Sequence, residues 1–231
     1  MRQDICTIPI SEVFEVNDGC PICRMRETVE KRIVDYIMGA AMMEPDVRIE
    51  TNKLGFCERH FDMMLGTRGR LQLALILESH VNEIGKNIFE KKLFNPSSKK
   101  GAQAKKLSDS CFVCSKVEWG FQNMIKTLFL SYENDKEFRQ MFDNQDVICL
   151  KHYELLVNSP EKKNLRKYLS EFEKNATRIT GNYVKFLSGD LTKYCSMYDY
   201  RANKENPDWG TSRDVVERTI AFLNGRHYSE K

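Results

Sequence analysis

No stretch of the 231-residue chain approaches the roughly 20 consecutive apolar residues that a membrane-spanning helix requires. The opening residues, MRQDICTIPISEVFEVNDG, carry acids and lack the apolar centre of a secretory signal. Both absences make a cytoplasmic protein without membrane association the expectation. An excess of one charge sign is missing too: 36 Lys and Arg stand against 33 Asp and Glu, and a net of +3 does not by itself imply nucleic acid. No Gly-rich phosphate loop, no G-x-S-x-G elbow and no nucleophile–base motif occur, which removes the common motif-based routes to an enzyme. Strand patterns are nearly absent; only PDVRIET at 45–51 alternates as a strand does.

What is present is helical periodicity. From Ile22, apolar residues Met25, Val29, Ile33, Tyr36, Ile37 and Ala40 recur at three- and four-residue steps. Leu71 to Phe89 repeats the pattern through Leu73, Leu77, Val81, Ile84 and Ile88, and Val117, Phe121, Met124, Ile125, Leu128 and Phe129 repeat it again. A further helix is expected from about Pro160 through Leu165, Phe172, Ile179 and Leu187, with Pro160 as a first-turn proline. A last one is expected to begin near Thr211 or Ser212, with Val215, Val216, Ile220 and Leu223 on one face. The chain therefore reads as all-α.

Eight cysteines in a reducing compartment point to metal or catalysis rather than to disulfides. Six of them fall into register with two of the four histidines. Cys20-x2-Cys23 is followed after 33 residues by Cys57-x2-His60, and Cys111-x2-Cys114 after 34 residues by Cys149-x2-His152. The residues that follow match in character, HFDMML and HYELLV, so an internal repeat is the better account of the spacing. The expected architecture is two duplicated helical units, each CxxC–helix–loop–CxxH–helix, packed together with a C-terminal helix. Their spans are 1–93 and 111–231, joined by a Lys-rich linker at 94–110 that holds Lys99, Lys100, Lys105 and Lys106.

Three cysteines and a histidine make a standard tetrahedral zinc set, since sulfur and imidazole donors match an ion with no geometric preference of its own. Chain order groups Cys20, Cys23, Cys57 and His60 around one zinc ion and Cys111, Cys114, Cys149 and His152 around a second. Four protein ligands close a site, and closed sites are structural. Iron–sulfur ligation is the competing cofactor. Buried apolar cysteines leave the duplicated spacing unexplained, and a redox role for CPIC lacks its strand–helix setting. Cys6 and Cys195 are left over and read as buried or inert. His80 reads as a hydrogen-bonded helix histidine, and His227 lies in a polar tail.

MMEPDVRIETNKLGF (42–56) sets Glu44, Asp46, Arg48, Glu50, Thr51 and Asn52 in a loop leading to Cys57. It reads either as a connector tied by Arg–carboxylate pairs or as a recognition loop on a zinc-pinned support. YDYRANKENPDWG (198–210) offers Trp209 as an anchor or as part of a partner surface. CPIC…GFCERH, CFVC…CLKH, MMEPDVRIETN, RLQLALILESH and YDYR…ERTIAFLNG together resemble an uncharacterised bacterial family of about this length, a domain of unknown function. The resemblance implies a cytoplasmic, metal-binding bacterial protein and carries over no reaction. The functional expectation is a non-catalytic, zinc-stabilised binding protein whose partner is another protein, with nucleic acid weakly supported. The alternatives are a metal- or redox-responsive regulator, or an enzyme using Glu44, Asp46, Arg48, Glu50 or His80 in a cleft between the units.

Overall fold

The computed structural model describes residues 10–90, 97–198 and 208–228, and every described element is helical. Eleven α-helices occur among them: α1 Ile10–Phe14, α2 Pro21–Met38, α3 Pro45–Leu54, α4 Glu58–Gly66, α5 Arg70–Ile84, α6 Ser97–Ser108, α7 Phe112–Asn134, α8 Lys136–Asp143, α9 Leu150–Asn158, α10 Leu169–Met197 and α11 Val215–Asn224. None is long and apolar enough to cross a membrane among the described residues.

The described residues divide into two compact units that differ from the 1–93, 94–110, 111–231 division. Unit one lies within 28–122 and unit two within 10–27 and 123–228, so the boundaries fall inside α2 and α7.

Unit two is built on aromatic residues. Phe142 is fully buried, with ring centroids 5.9 Å from Phe14, 5.3 Å from Tyr132 and 4.9 Å from Phe172. Edge-to-face and offset arrangements of this kind add to the area that the rings bury. Gln145 fixes α1 to the end of α8 by donating to the Phe14 carbonyl at 2.7 Å. Unit one buries more aliphatic side chains, Val29, Ile33 and Ile37 of α2, Val47 of α3, and Leu73 and Ile76 of α5, beside the aromatic Phe56, Phe112 and Phe121.

Four local expectations are corrected. Residues 45–54 form helix α3, neither strand nor loop, with Pro45 at the first position, where it is pre-set for a helix. Val47 and Thr51, four apart, are buried while Ile49 is exposed, so burial follows the helical period. Helix α10 begins at Leu169, because Pro160–Asn164 is a tight 3-10 turn. The Glu133 carboxylate accepts from the backbone N–H groups of Arg166, Lys167 and Tyr168, which holds that segment out of the helix. On α11 the buried positions are Val215, Ala221 and Phe222, whereas Val216, Ile220 and Leu223 are exposed. The 97–108 part of the expected linker is helix α6, which buries none of its residues.

Arg48 does not form the expected carboxylate pairs. It donates to the Leu75 carbonyl at 2.6 Å and so ties α3 to α5. Glu44 accepts from Tyr36 at 2.9 Å, and Glu50 pairs with Lys116 at 2.8 Å. Trp209 packs edge-on against Tyr194 and Tyr198.

Candidate metal centres

Each CxxC opens a long helix and each CxxH opens a short one. Cys20 precedes Pro21 at the start of α2, and Cys111 precedes Phe112 at the start of α7. Cys57 is the N-cap residue of α4 and Cys149 that of α9, with His60 and His152 on the first turn of each. All six cysteines therefore stand at helix N-termini, where the helix dipole favours the thiolate form.

The structure joins these ends crosswise. Cys20, Cys23, Cys149 and His152 form one cluster, and Cys57, His60, Cys111 and Cys114 form the other, each with its donor atoms within 4.8 Å of one another. The grouping by chain order is thus corrected: each CxxC meets the CxxH of the other repeat. Helix length supplies the reason. The 18 residues of α2 and the 23 of α7 carry the chain about 27 Å and about 34 Å onward before it turns, at about 1.5 Å per residue. Each of these helices begins in one unit and ends in the other, so the CxxH that follows lies in the unit opposite its own CxxC. The first cluster lies wholly in unit two and the second wholly in unit one.

In the unit-two cluster the His152 Nδ1 atom lies 3.6 Å from Cys20 Sγ, 3.3 Å from Cys23 Sγ and 3.2 Å from Cys149 Sγ, and the Cys23 and Cys149 sulfurs are 3.6 Å apart. All four residues are buried. Arg24, next to Cys23, donates to the Val13 and Val16 carbonyls and pairs with Asp18, fixing the loop that leads into Cys20. Gly19 adopts φ +132°, and a Cβ there would meet the Tyr228 carbonyl at 3.1 Å, so only glycine lets the C-terminal segment cover this loop. His227 completes the cover with Nε2 3.2 Å from Asp18 and Nδ1 3.4 Å from Glu27.

In the unit-one cluster His60 Nδ1 lies 3.1 Å from Cys57 Sγ, 3.2 Å from Cys111 Sγ and 3.5 Å from Cys114 Sγ. The backbone N–H of Cys114 donates to Cys111 Sγ at 3.4 Å, as a tight turn around an ion allows. Two further bonds lace the turns together: Phe112 N–H donates to the Gly55 carbonyl at 2.9 Å and Ser110 Oγ to the Leu54 carbonyl at 2.8 Å. Gly55 has φ +58°, and a Cβ on it would stand 3.1 Å from His80 Nε2. His80 itself is buried and donates Nδ1–H to the Asn52 carbonyl at 3.1 Å, while burial lowers its pKa. It serves as packing under the Cys57 turn.

Sequence spacing does not reveal Glu30. Its carboxylate accepts from His60 Nε2–H at 2.9 Å and pairs with Arg59 at 2.5 Å. This leaves Nδ1 as the donor atom facing the three sulfurs and fixes the ring. Burial opposes the Glu30 charge, yet the bonds from His60 and Arg59 hold its pKa below the usual value. The one available signal is an acid beside the apolar stripe of α2, next to Val29. Glu30→Ala is expected to weaken metal binding in unit one by about 10–100-fold, with unit two unchanged and Glu30→Gln milder. Competition against a chromogenic chelator measures it, and equal affinity in Glu30→Ala would show that Glu30 does not position the ring.

The donor chemistry fits a cation. Without one, each cluster supports one thiolate at the expense of its neighbours. Burial opposes ionisation of Cys111, but the bond to His60 brings its thiol down to about 6. Burial and the Cys111 charge then push Cys114 up to about 12. In unit two, burial likewise opposes Cys20, whose pKa is lowered by bonds to Cys149, Cys23 and His152. The bond to Cys20, and then burial, push Cys149 up to about 12. A divalent ion removes the conflict by meeting three thiolates at once.

Of the remaining cysteines, expected to be buried or inert, Cys195 is exposed on α10 and Cys6 lies outside the described residues. No curated protein and no solved structure matches this chain. The profile of a family of unknown function, DUF6062, matches residues 1–230, and the chain belongs to that family.

Proposed function

We propose that the protein is a non-catalytic helical scaffold whose two units are each clamped by one zinc ion. The observation that carries this reading is the size of the two donor shells. A tetrahedral zinc with Zn–S near 2.3 Å and Zn–N near 2.0–2.1 Å sets sulfurs about 3.8 Å apart and sulfur and nitrogen about 3.5 Å apart. One sulfur pair in each cluster, Cys23–Cys149 and Cys57–Cys114, stands at 3.6 and 3.8 Å, and all donor atoms of a cluster lie within 4.8 Å of one another. The sulfur–nitrogen distances run from 3.1 to 3.6 Å. A shell of this size favours a single ion over an iron–sulfur cluster, which spreads its cysteines over several irons. Both shells draw all four ligands from the protein, which suits a structural ion rather than a catalytic one.

Glu44, Arg48, Glu50 and His80 are engaged in contacts that tie residues 44–52 to α2, α5 and α7, which supports a connector role for 42–56. The partner this reading favours is another protein, because Val216, Ile220 and Leu223 form an exposed apolar row on α11. Elemental analysis of the protein as purified tests the reading. It is expected to find two equivalents of zinc and a colourless solution; stoichiometric iron with visible absorption would replace zinc by the cluster alternative.

A further inference from the structure

The two clusters hold the same donors behind different walls. In unit two the ligands Cys20, Cys23, Cys149 and His152 are all buried. In unit one His60 and Cys111 are buried, but Cys57 is half-buried and Cys114 is exposed. Those two more accessible sulfurs stand 3.8 Å apart. We propose that Cys57 and Cys114 are an oxidative modification site, where a peroxide converts the pair to a disulfide and unit one gives up its ion while unit two keeps its own. The inference rests on both clusters being metal-loaded.

The chemistry balances with hydrogen peroxide as oxidant. Cys114 Sγ attacks one peroxide oxygen; the O–O bond breaks, the sulfur becomes a sulfenic acid, and the departing hydroxide takes up a proton as water. Cys57 Sγ then attacks the Cys114 sulfur; the S–S bond forms, the S–O bond breaks, and a second hydroxide leaves as water after taking up a proton. Two thiolates have lost two electrons, and one peroxide and two protons have become two waters. The sulfurs close from 3.8 Å to about 2.05 Å. Cys57 caps α4 and Cys114 sits on the first turn of α7, so the disulfide keeps these two helix starts tied. Cys111 and His60 are then the two donors left, too few to retain the ion.

Unit two withholds its sulfurs by burial: Cys20, Cys23 and Cys149 are 4%, 4% and 1% exposed, although Cys20 and Cys149 border a cavity shared with Asp18, Asp146 and Tyr228. Arg24 and the 227–228 segment hold the 17–19 loop that leads into Cys20. Oxidation follows thiolate character and exposure together. Both clusters supply thiolate to a bound ion, so exposure decides between them.

The test uses the full chain, with two bound zinc equivalents first confirmed by elemental analysis. Hydrogen peroxide is added with a chromogenic zinc chelator in solution, and peptides are mapped at the end of the first release phase. The expected result is one equivalent released about tenfold or more faster than the other, with a Cys57–Cys114 disulfide and with Cys20, Cys23 and Cys149 alkylated only after denaturation. Release of both equivalents together, or a first disulfide at Cys20, Cys23, Cys149 or Cys111, would overturn the proposal. Cys195→Ala serves as control because Cys195 is exposed; unchanged release upholds the assignment, and slowed release would move the reactive thiol to Cys195 and defeat it. A protein free of zinc at the outset refutes the metal reading and this inference with it, whereas two bound ions lost together refute the inference alone.

Discussion

A double variant Cys23→Ser/Cys149→Ser is expected to hold one zinc ion per chain, and Cys23→Ser/Cys57→Ser is expected to hold none. The first pair removes two ligands from the unit-two cluster and leaves Cys57, His60, Cys111 and Cys114 complete. The second pair takes one ligand from each cluster. Losing one thiolate of a closed four-ligand site removes a large part of apparent binding free energies of about 10–16 kcal/mol. If ions instead followed chain order, the two results would exchange places, so metal counting on the two variants decides the grouping. The parent chain offers a check that needs no substitution. Under limiting chelator, Cys57, Cys111 and Cys114 should become alkylatable as one set, and Cys20, Cys23 and Cys149 as another. Reactivity appearing in the set Cys20, Cys23 and Cys57 would restore the grouping by chain order.

The eight clustered Cys and His residues were legible in the sequence, and their grouping was not. Spacings of three residues are local, and the geometry of a turn or a helix start makes them readable wherever they stand. Which CxxC meets which CxxH depends on where helices of 18 and 23 residues deliver the chain, and spacing alone does not carry that. Helices α2 and α7 were legible because one stripe is buried without interruption: Met25, Val29, Ile33 and Ile37 in the first, Phe121, Met124, Ile125, Leu128 and Phe129 in the second. Helix α11 carries two apolar stripes side by side, and the pattern alone gave no reason to bury Val215 and Phe222 rather than Val216 and Ile220. Residues 45–51 alternate over too short a span to outweigh a first-turn proline and the Arg48–Leu75 bond to α5. Glu30 was hidden for a related reason. An acid 30 residues from the histidine it orients leaves no spacing signature.

Removing both ions is expected to lower the melting temperature by about 20 °C or more, and to unfold unit one before unit two. Zinc sites of this composition contribute about 10–16 kcal/mol in small peptides, against a whole-domain stability of about 5–15 kcal/mol. At about 2–4 °C per kcal/mol for a chain of this size, loss of even one such contribution is a shift of tens of degrees. The order follows from what each unit buries without metal. Tyr132, Phe14, Phe129, Phe138, Phe142 and Phe172 are among the largest fully buried side chains, and all six belong to unit two. Unit one has Phe112, Phe121, Ile33 and Ile37 in the same class, and Phe112 begins the helix that its metal site anchors. The aromatic cluster of unit two buries enough apolar surface to retain helix after the ion is gone. Hydrogen exchange after chelation is therefore expected to show early loss of protection in α3, α4 and α5 and slower loss in α8 and α10. Uniform exchange through both units would mean that the ions, rather than the aromatic core, hold unit two. A melting temperature unmoved by chelation would show that neither ion is structural, whatever the donor geometry allows.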